Sequence, residues 1–166
     1  MRSFPTLRFS LVTATFLAVF CCIAPRPAAA QFTSNNVSQH AWLDITALGG
    51  GSNGNDCWGY VAPSGREYAL MGVSNKLVVV EITTPASPSI VDSISHTNCL
   101  WGDVKVYQDH CYVVNECGGG INVIDLGDVD NGNVTLVQSF TGGGMSTSHN
   151  VAIDEESGFL YLCGSN

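Results

Sequence analysis

A block of four short apolar runs recurs along this chain, and that recurrence constrains the fold more than any other feature. The runs 58–62 (WGYVA), 67–73 (EYALMGV), 76–82 (KLVVVEI) and 89–95 (SIVDSIS) are followed in the same order by 101–107 (WGDVKVY), 110–116 (HCYVVNE), 120–126 (GINVIDL) and 134–140 (VTLVQSF). A third block opens with 149–153 (HNVAI) and 158–164 (GFLYLCG). Each run is rich in Val, Ile, Leu and Tyr and is bounded by Gly, Asn, Asp, Ser or Pro, which reads as β-strand and leaves no helical period. Trp58 to Trp101 spans 43 residues and Asp103 to Asn150 spans 47. A unit of four short strands in roughly 45 residues is the size of a propeller blade. An ordinary β-sandwich would not require two blocks and half of a third in one strand order. The expected fold is therefore all-β: β-propeller blades of four antiparallel strands, about two and a half of them.

The pattern inside the runs carries a second expectation. A blade packs both faces against neighbours, so alternate residues of a strand should be apolar in both directions. That places Val78, Val80 and Ile82 toward one neighbour and Val79 toward the other. The same parity groups Ile121, Val123 and Asp125, with Asn122, Ile124 and Leu126 opposite. Pro85 and Pro88 fall between the third and fourth runs, outside any central strand.

Residues 1–30 are a targeting segment. Arg2 and Arg8 precede the apolar stretch 9–24, and Ala28-Ala29-Ala30 offers a cleavage site before Gln31. The stretch is shorter than the roughly 20 residues of a spanning helix, so a secreted chain with no membrane insertion after cleavage is expected. Residues 31–57 then form a lead-in, and 58–166 carry the repeats at 58–95, 101–140 and 149–166. With Arg2, Arg8 and Arg26 removed, Arg66, Lys76 and Lys105 face fourteen acidic residues, and the net charge moves from −8 to −11. Such a surface repels phosphate backbones and anionic lipid, which argues against nucleic acid as a partner.

The stretches KLVVVEITTPASPSIV (76–91) and GINVIDL resemble the LVIVD-repeat proteins, in which the third strand and its following proline-containing turn define the repeat. The wider segments 55–75, 100–116 and 148–166 are similar to the N-terminal part of the choice-of-anchor B family of secreted or surface-attached proteins. VAIDEESGFLYL (151–162) is similar to the opening of an NHL-type propeller repeat. The resemblance spans about residues 40–166 and implies a propeller, but no catalytic residues. Family members continue through more repeats and often an anchor. The sequence therefore reads as a partial ring, either a gene fragment or one share of a ring built from several chains.

Candidate sites follow from chemistry and spacing. Cys57, Cys99, Cys111, Cys117 and Cys163 remain after cleavage, in a compartment where disulfides form. Cys111 and Cys117 are roughly 20 Å apart if extended, too far to pair. Cys99 precedes the first strand of its block and Cys117 follows the second, which puts both on one rim; Cys99–Cys117 is the expected disulfide, with Cys57 as a competitor. Cys163 lies in an apolar strand and is expected to be a buried thiol. His96, Cys99, His110, Cys111 and Cys117 lack zinc-site spacing. The loop DLGDVDNGN (125–133) offers calcium donors at Asp125, Asp128 and Asp130, but its glycine falls one position early for an EF-hand. Asn36 and Asn133 fit the N-glycosylation pattern in a eukaryotic host.

Asp56, Asp103, His149 and Asn150 are candidates for a channel rim, where propellers usually bind ligands. Ser146 or Ser148 beside His149 suggests a hydrolase only by adjacency, and no G-x-S-x-G elbow is present. Trp58 and Trp101 read as packing residues repeated at one blade position, with sugar stacking as the alternative. The glycine runs 49–55, 118–120 and 142–144 lack a following Lys and read as tight turns. The expected function is an extracellular or surface-attached module for protein or glycan interaction, with no catalytic residue or cofactor assigned. The alternatives are a hydrolase or lyase whose rim site is completed elsewhere, and a gene fragment with no independent function.

Overall fold

A computed structural model of the chain describes residues 35–166; the expected leader at 1–30 lies outside them. Ten strands follow the predicted runs closely: β1 (Gly54–Val61), β2 (Glu67–Val73), β3 (Lys76–Glu81), β4 (Ser89–Ser95), β5 (Gly102–Tyr107), β6 (His110–Asn115), β7 (Ile121–Asp125), β8 (Thr135–Phe140), β9 (Asn150–Asp154) and β10 (Phe159–Cys163). Short 3₁₀ turns at Val129–Asn131 and Gly142–Gly144 are the elements that strand periodicity did not show. The strands form two four-stranded antiparallel meanders, β1-β2-β3-β4 and β5-β6-β7-β8, and a two-stranded sheet, β9-β10. The fold is all-β.

Local chemistry accounts for the connections. Gly118, Gly119 and Gly120 all have positive φ, so three successive residues turn the chain tightly between β6 and β7. At Gly120 a Cβ would lie 2.1 Å from the Phe140 carbonyl oxygen, which excludes any side chain there. Both fourth strands carry an irregularity at the same place, opposite Val79/Val80 and opposite Val123/Ile124. Such a bulge bends the strand and re-aims its side chains. Asp92 on β4 uses that opportunity, accepting at 3.0 Å the N–H of Val134, the residue before β8.

The three sheets stack in series, and alternate residues of each strand go to opposite layers. Between the first and second sheets lie Tyr60, Tyr68, Leu70, Leu77 and Val79 from one side, and Val104, Cys111, Val113, Ile124 and Leu126 from the other. Val114 and Ile121, with Tyr112 and Val123 beside them, meet Val151, Ile153, Leu160 and Leu162 of the third sheet. The outward face of the first sheet packs Val73, Val78 and Val80, with Met71 and Ile82, under Leu43, Ile45 and Leu48 of the lead-in. The predicted parities of β3 and β7 are thus those of the fold. At about 25 cal/mol per Å² of apolar surface removed from water, these layers are the main source of stability.

A polar clamp closes the edge of the first interface. The Tyr68 hydroxyl donates to Asp130 Oδ1 at 2.7 Å, and the Arg66 guanidinium binds Glu81 and reaches Asp130 of the β7–β8 loop. The disulfide is Cys99–Cys117, with Cα atoms 5.5 Å apart. Cys57, named as a competitor, is a free exposed thiol, and Cys111 is free and buried.

Three expectations are corrected. β1 begins at Gly54, so Asp56 and Cys57 belong to the first sheet and not to a 31–57 lead-in. Trp58 lies within β1 whereas Trp101 precedes β5, so the two are not equivalent. The matching positions are Asp56, Asp103 and Asn150, which repeat at 47 residues in both steps, so Cys57 corresponds to Val104. Cys163 is exposed, because strand alternation sends Leu160 and Leu162 into the second interface and leaves Phe159, Tyr161 and Cys163 on the opposite face.

Candidate functional site

The site grows out of the repeat. At the start of each block's first strand lies a pair that carries an acid or amide, Asn55-Asp56, Gly102-Asp103 or His149-Asn150. β5 packs beside β1 and β9 beside β5, so the three pairs converge. Together with Trp101 they line a polar cavity of about 160 Å³. All four rim candidates, Asp56, Asp103, His149 and Asn150, are therefore brought together.

A repeated hydrogen bond holds the convergence. Asp56 Oδ2 accepts the Val104 N–H at 3.0 Å, and Asp103 Oδ2 accepts the Val151 N–H at 2.8 Å. In the first two sheets, one carboxylate of the first strand thus receives an amide from the first strand of the next sheet. An edge strand leaves such amides unpaired, and a charged acceptor makes the bond stronger than a neutral one.

Lys105 supplies the positive charge. Its ammonium binds Asp103, lies 3.3 Å from Asp56 Oδ2, donates to the Val104 carbonyl at 2.9 Å, and sits 4.6 Å from the centre of the Trp58 ring. Burial alone pushes the Asp103 pKa up. Contact with Asp56 and hydrogen bonds from Lys105 and the Val151 amide outweigh it and hold the carboxyl down at about 2. Burial likewise pushes the Lys105 pKa down, and Asp103 and Asp56 more than restore it. Both groups are charged at neutral pH. The ammonium occupies the place between two carboxylates that a metal ion would take, and it came from the chain itself.

The rim beyond this cluster is less committed. Trp101 is 54% exposed and its ring centre lies 6.3 Å from that of His149. His149 Nδ1 meets Glu116 Oε1. Asn150 Nδ2 donates weakly to Asp103 Oδ2 at 3.3 Å. The hydrolase reading of the serines fails on geometry: Ser148 is fully buried and donates to the Asn150 and Cys163 carbonyls, and Ser146 turns to Asn166.

The remaining candidates are dispersed. Asp125 accepts the Gly127 N–H, Asp128 accepts the amides of Asn131 and Asn133, and Asp130 takes Tyr68 and Arg66. The calcium donors thus bond in three directions within the β7–β8 loop. Among the described residues no group of three or more His, Cys, Asp or Glu side chains is placed to hold a metal ion. Asn36 and Asn133 are both exposed, though the Asn133 amide is engaged with Asp128. No helix among the described residues is long and apolar enough to cross a membrane. Asn55, Gly102, Lys105 and Glu116 were not singled out by sequence. The 47-residue step from Asp103, carried back to Asp56, is the signal that would have found the first two.

Fold and site together define an all-β protein of serially stacked antiparallel sheets whose first strands share one polar cavity. The chain matches no protein-family model, no curated protein and no solved structure.

Proposed function

We propose that the protein is an extracellular β-propeller-type binding module that takes a glycan at the cavity between β1, β5 and β9. The observation that carries this reading is the division of labour at the rim. Both Asp103 oxygens are bonded to Lys105 or to backbone amides and Asp56 Oδ2 takes the Val104 amide and Lys105, while the Trp101 ring, the Asn55 and Asn150 amides and His149 line the cavity beside them. An aromatic face with neighbouring amides suits a sugar ring, which presents apolar C–H faces and a periphery of hydroxyls. The serial stacking of two four-stranded sheets, each packed on both faces, supports the blade reading, as does the resemblance to LVIVD repeats. The Cys99–Cys117 disulfide supports an oxidising compartment.

A hydrolase or lyase needs a carboxyl or imidazole free to move a proton at the reacting bond. Asp103 is held ionised and fully bonded, which favours binding over chemistry. A glycan array, followed by calorimetric titration of the strongest ligand, tests the proposal. Trp101→Ala is expected to weaken binding about tenfold, the equivalent of roughly 1.4 kcal/mol. Absence of any glycan ligand, or binding that Trp101→Ala leaves unchanged, overturns it.

A further inference from the structure

The pattern Asn133-Val134-Thr135 straddles the end of the β7–β8 loop and the first residue of β8. Val134, in the middle, is buried in the first interface, whereas Asn133 and Thr135 on either side are exposed. The apolar residue points in and the two polar ones stay in solvent, the alternation of a strand with one covered face.

The loop is held by its other residues. Asp130 takes Tyr68 and Arg66 of the first sheet, and the Val134 N–H donates to Asp92 of β4 at 3.0 Å. Gly132 turns the chain at a φ of 87°, and a Cβ placed on it would meet no atom within 4 Å, so the space next to Asn133 is open. The Asn133 side chain has one partner among the described residues: its Nδ2 donates to Asp128 Oδ2 at 2.7 Å. A primary amide nitrogen carries two hydrogens. The bond to Asp128 uses one and leaves the other to be replaced.

We propose that Asn133 carries an N-linked oligosaccharide, acquired in a eukaryotic secretory compartment; the inference rests on the extracellular reading above. The donor is a lipid-diphosphate-linked oligosaccharide. Asn133 Nδ2 bonds to the anomeric carbon of its first sugar, and the bond from that carbon to the diphosphate oxygen breaks. The lipid diphosphate leaves with the electron pair, and one amide proton passes to a base of the transferase. Transfer precedes folding, so the fold decides whether the product can be carried. The remaining N–H keeps the bond to Asp128, and neither Asn133 nor Thr135 belongs to a buried layer. The Leu126 N–H donates to the Asp109 carbonyl, which sets this loop beside the β5–β6 turn, whereas Asp103 at the cavity lies at the other end of β5. The oligosaccharide is therefore attached at the end of the sheets opposite the cavity.

The test expresses the full chain in eukaryotic cells and maps the chain from medium and cell extract by protease digestion and mass spectrometry. The expected result is an oligosaccharide on the peptide containing Asn133, released by an amidase that cleaves at glycosylated Asn. Asn133→Gln and Thr135→Ala should each lose it, and Thr135→Ser, which restores the hydroxyl, should keep it. Thr135→Ala leaves the Asn133–Asp128 bond in place, and unchanged circular dichroism separates loss of the glycan from loss of the fold. A secreted chain whose Asn133 is unmodified, or a glycan on that peptide that survives Thr135→Ala, overturns the proposal. A parallel chain with residues 1–30 exchanged for a leader of established function keeps the two readings apart. If only that chain enters the secretory compartment, the extracellular reading fails; a glycan on its Asn133 then upholds the site, and a bare Asn133 overturns it.

Discussion

Replacing Asp103 by Asn removes a charge and almost no volume, so it isolates the electrostatics of the convergence. The Asp103 side chain is 5% exposed and receives the Val104 amide at 2.9 Å, the Val151 amide at 2.8 Å and the Lys105 ammonium. Hydrogen bonds to a charged group contribute about 1.5–3 kcal/mol, and an amide side chain can accept only part of this set. Asp103→Asn is therefore expected to cost about 2–3 kcal/mol near neutral pH. The pH dependence reports the same contacts. A carboxyl held at about 2 in the folded state, against an ordinary 3.8, contributes about 2 kcal/mol. Since the folded value is depressed, this contribution is fully present above the unfolded pKa and is lost as pH falls through the folded one. Urea unfolding followed by tryptophan fluorescence, at several pH values from about 6 to 2, measures both. The stability gap between parent and variant should narrow toward acid as the parent carboxyl takes up its proton. A gap that stays constant over that range would refute the account of Asp103 as an ionised latch between sheets.

Other expectations are simpler to check. Cys99→Ser with Cys117→Ser opens a bridge between residues 18 apart in sequence and should cost about 2–4 kcal/mol, read as a lower thermal midpoint. An unchanged midpoint would mean the bridge is structurally idle. Burial, then the bond to Asp130, pushes the Tyr68 pKa up to about 12. Ultraviolet titration should therefore show one tyrosine that ionises last, and Tyr68→Phe should delete that phase. The sign is opposite to that of Asp103: the proton is held more tightly when folded, so the contribution is present below the unfolded value of about 10 and is lost as pH rises through the folded one. Phe at this position should also cost about 1 kcal/mol at neutral pH through loss of the Asp130 bond.

Strand order, turn positions and the facing of each residue in β3 and β7 were legible in the sequence, because alternation and turn chemistry act between near neighbours. Val79 against Val78 and Val80 needed nothing beyond period two. Cys99 and Cys117 could be paired for the same reason, since both flank strands of one hairpin. What lies between sheets was not local. Trp58 and Trp101 looked equivalent by residue type, yet the bonds from Val104 to Asp56 and from Val151 to Asp103 set the repeat at a different register. Cys163 looked buried because its strand is apolar, but only the packing partner of β9–β10 decides which of two apolar faces is covered. The sequence by itself determined an all-β chain of four-stranded units; the tertiary structure decided which carboxylates meet one lysine, which thiols remain free and which rim residues share a cavity. Those outcomes depend on contacts between residues nearly fifty positions apart, whose alignment is set by the packing of whole sheets.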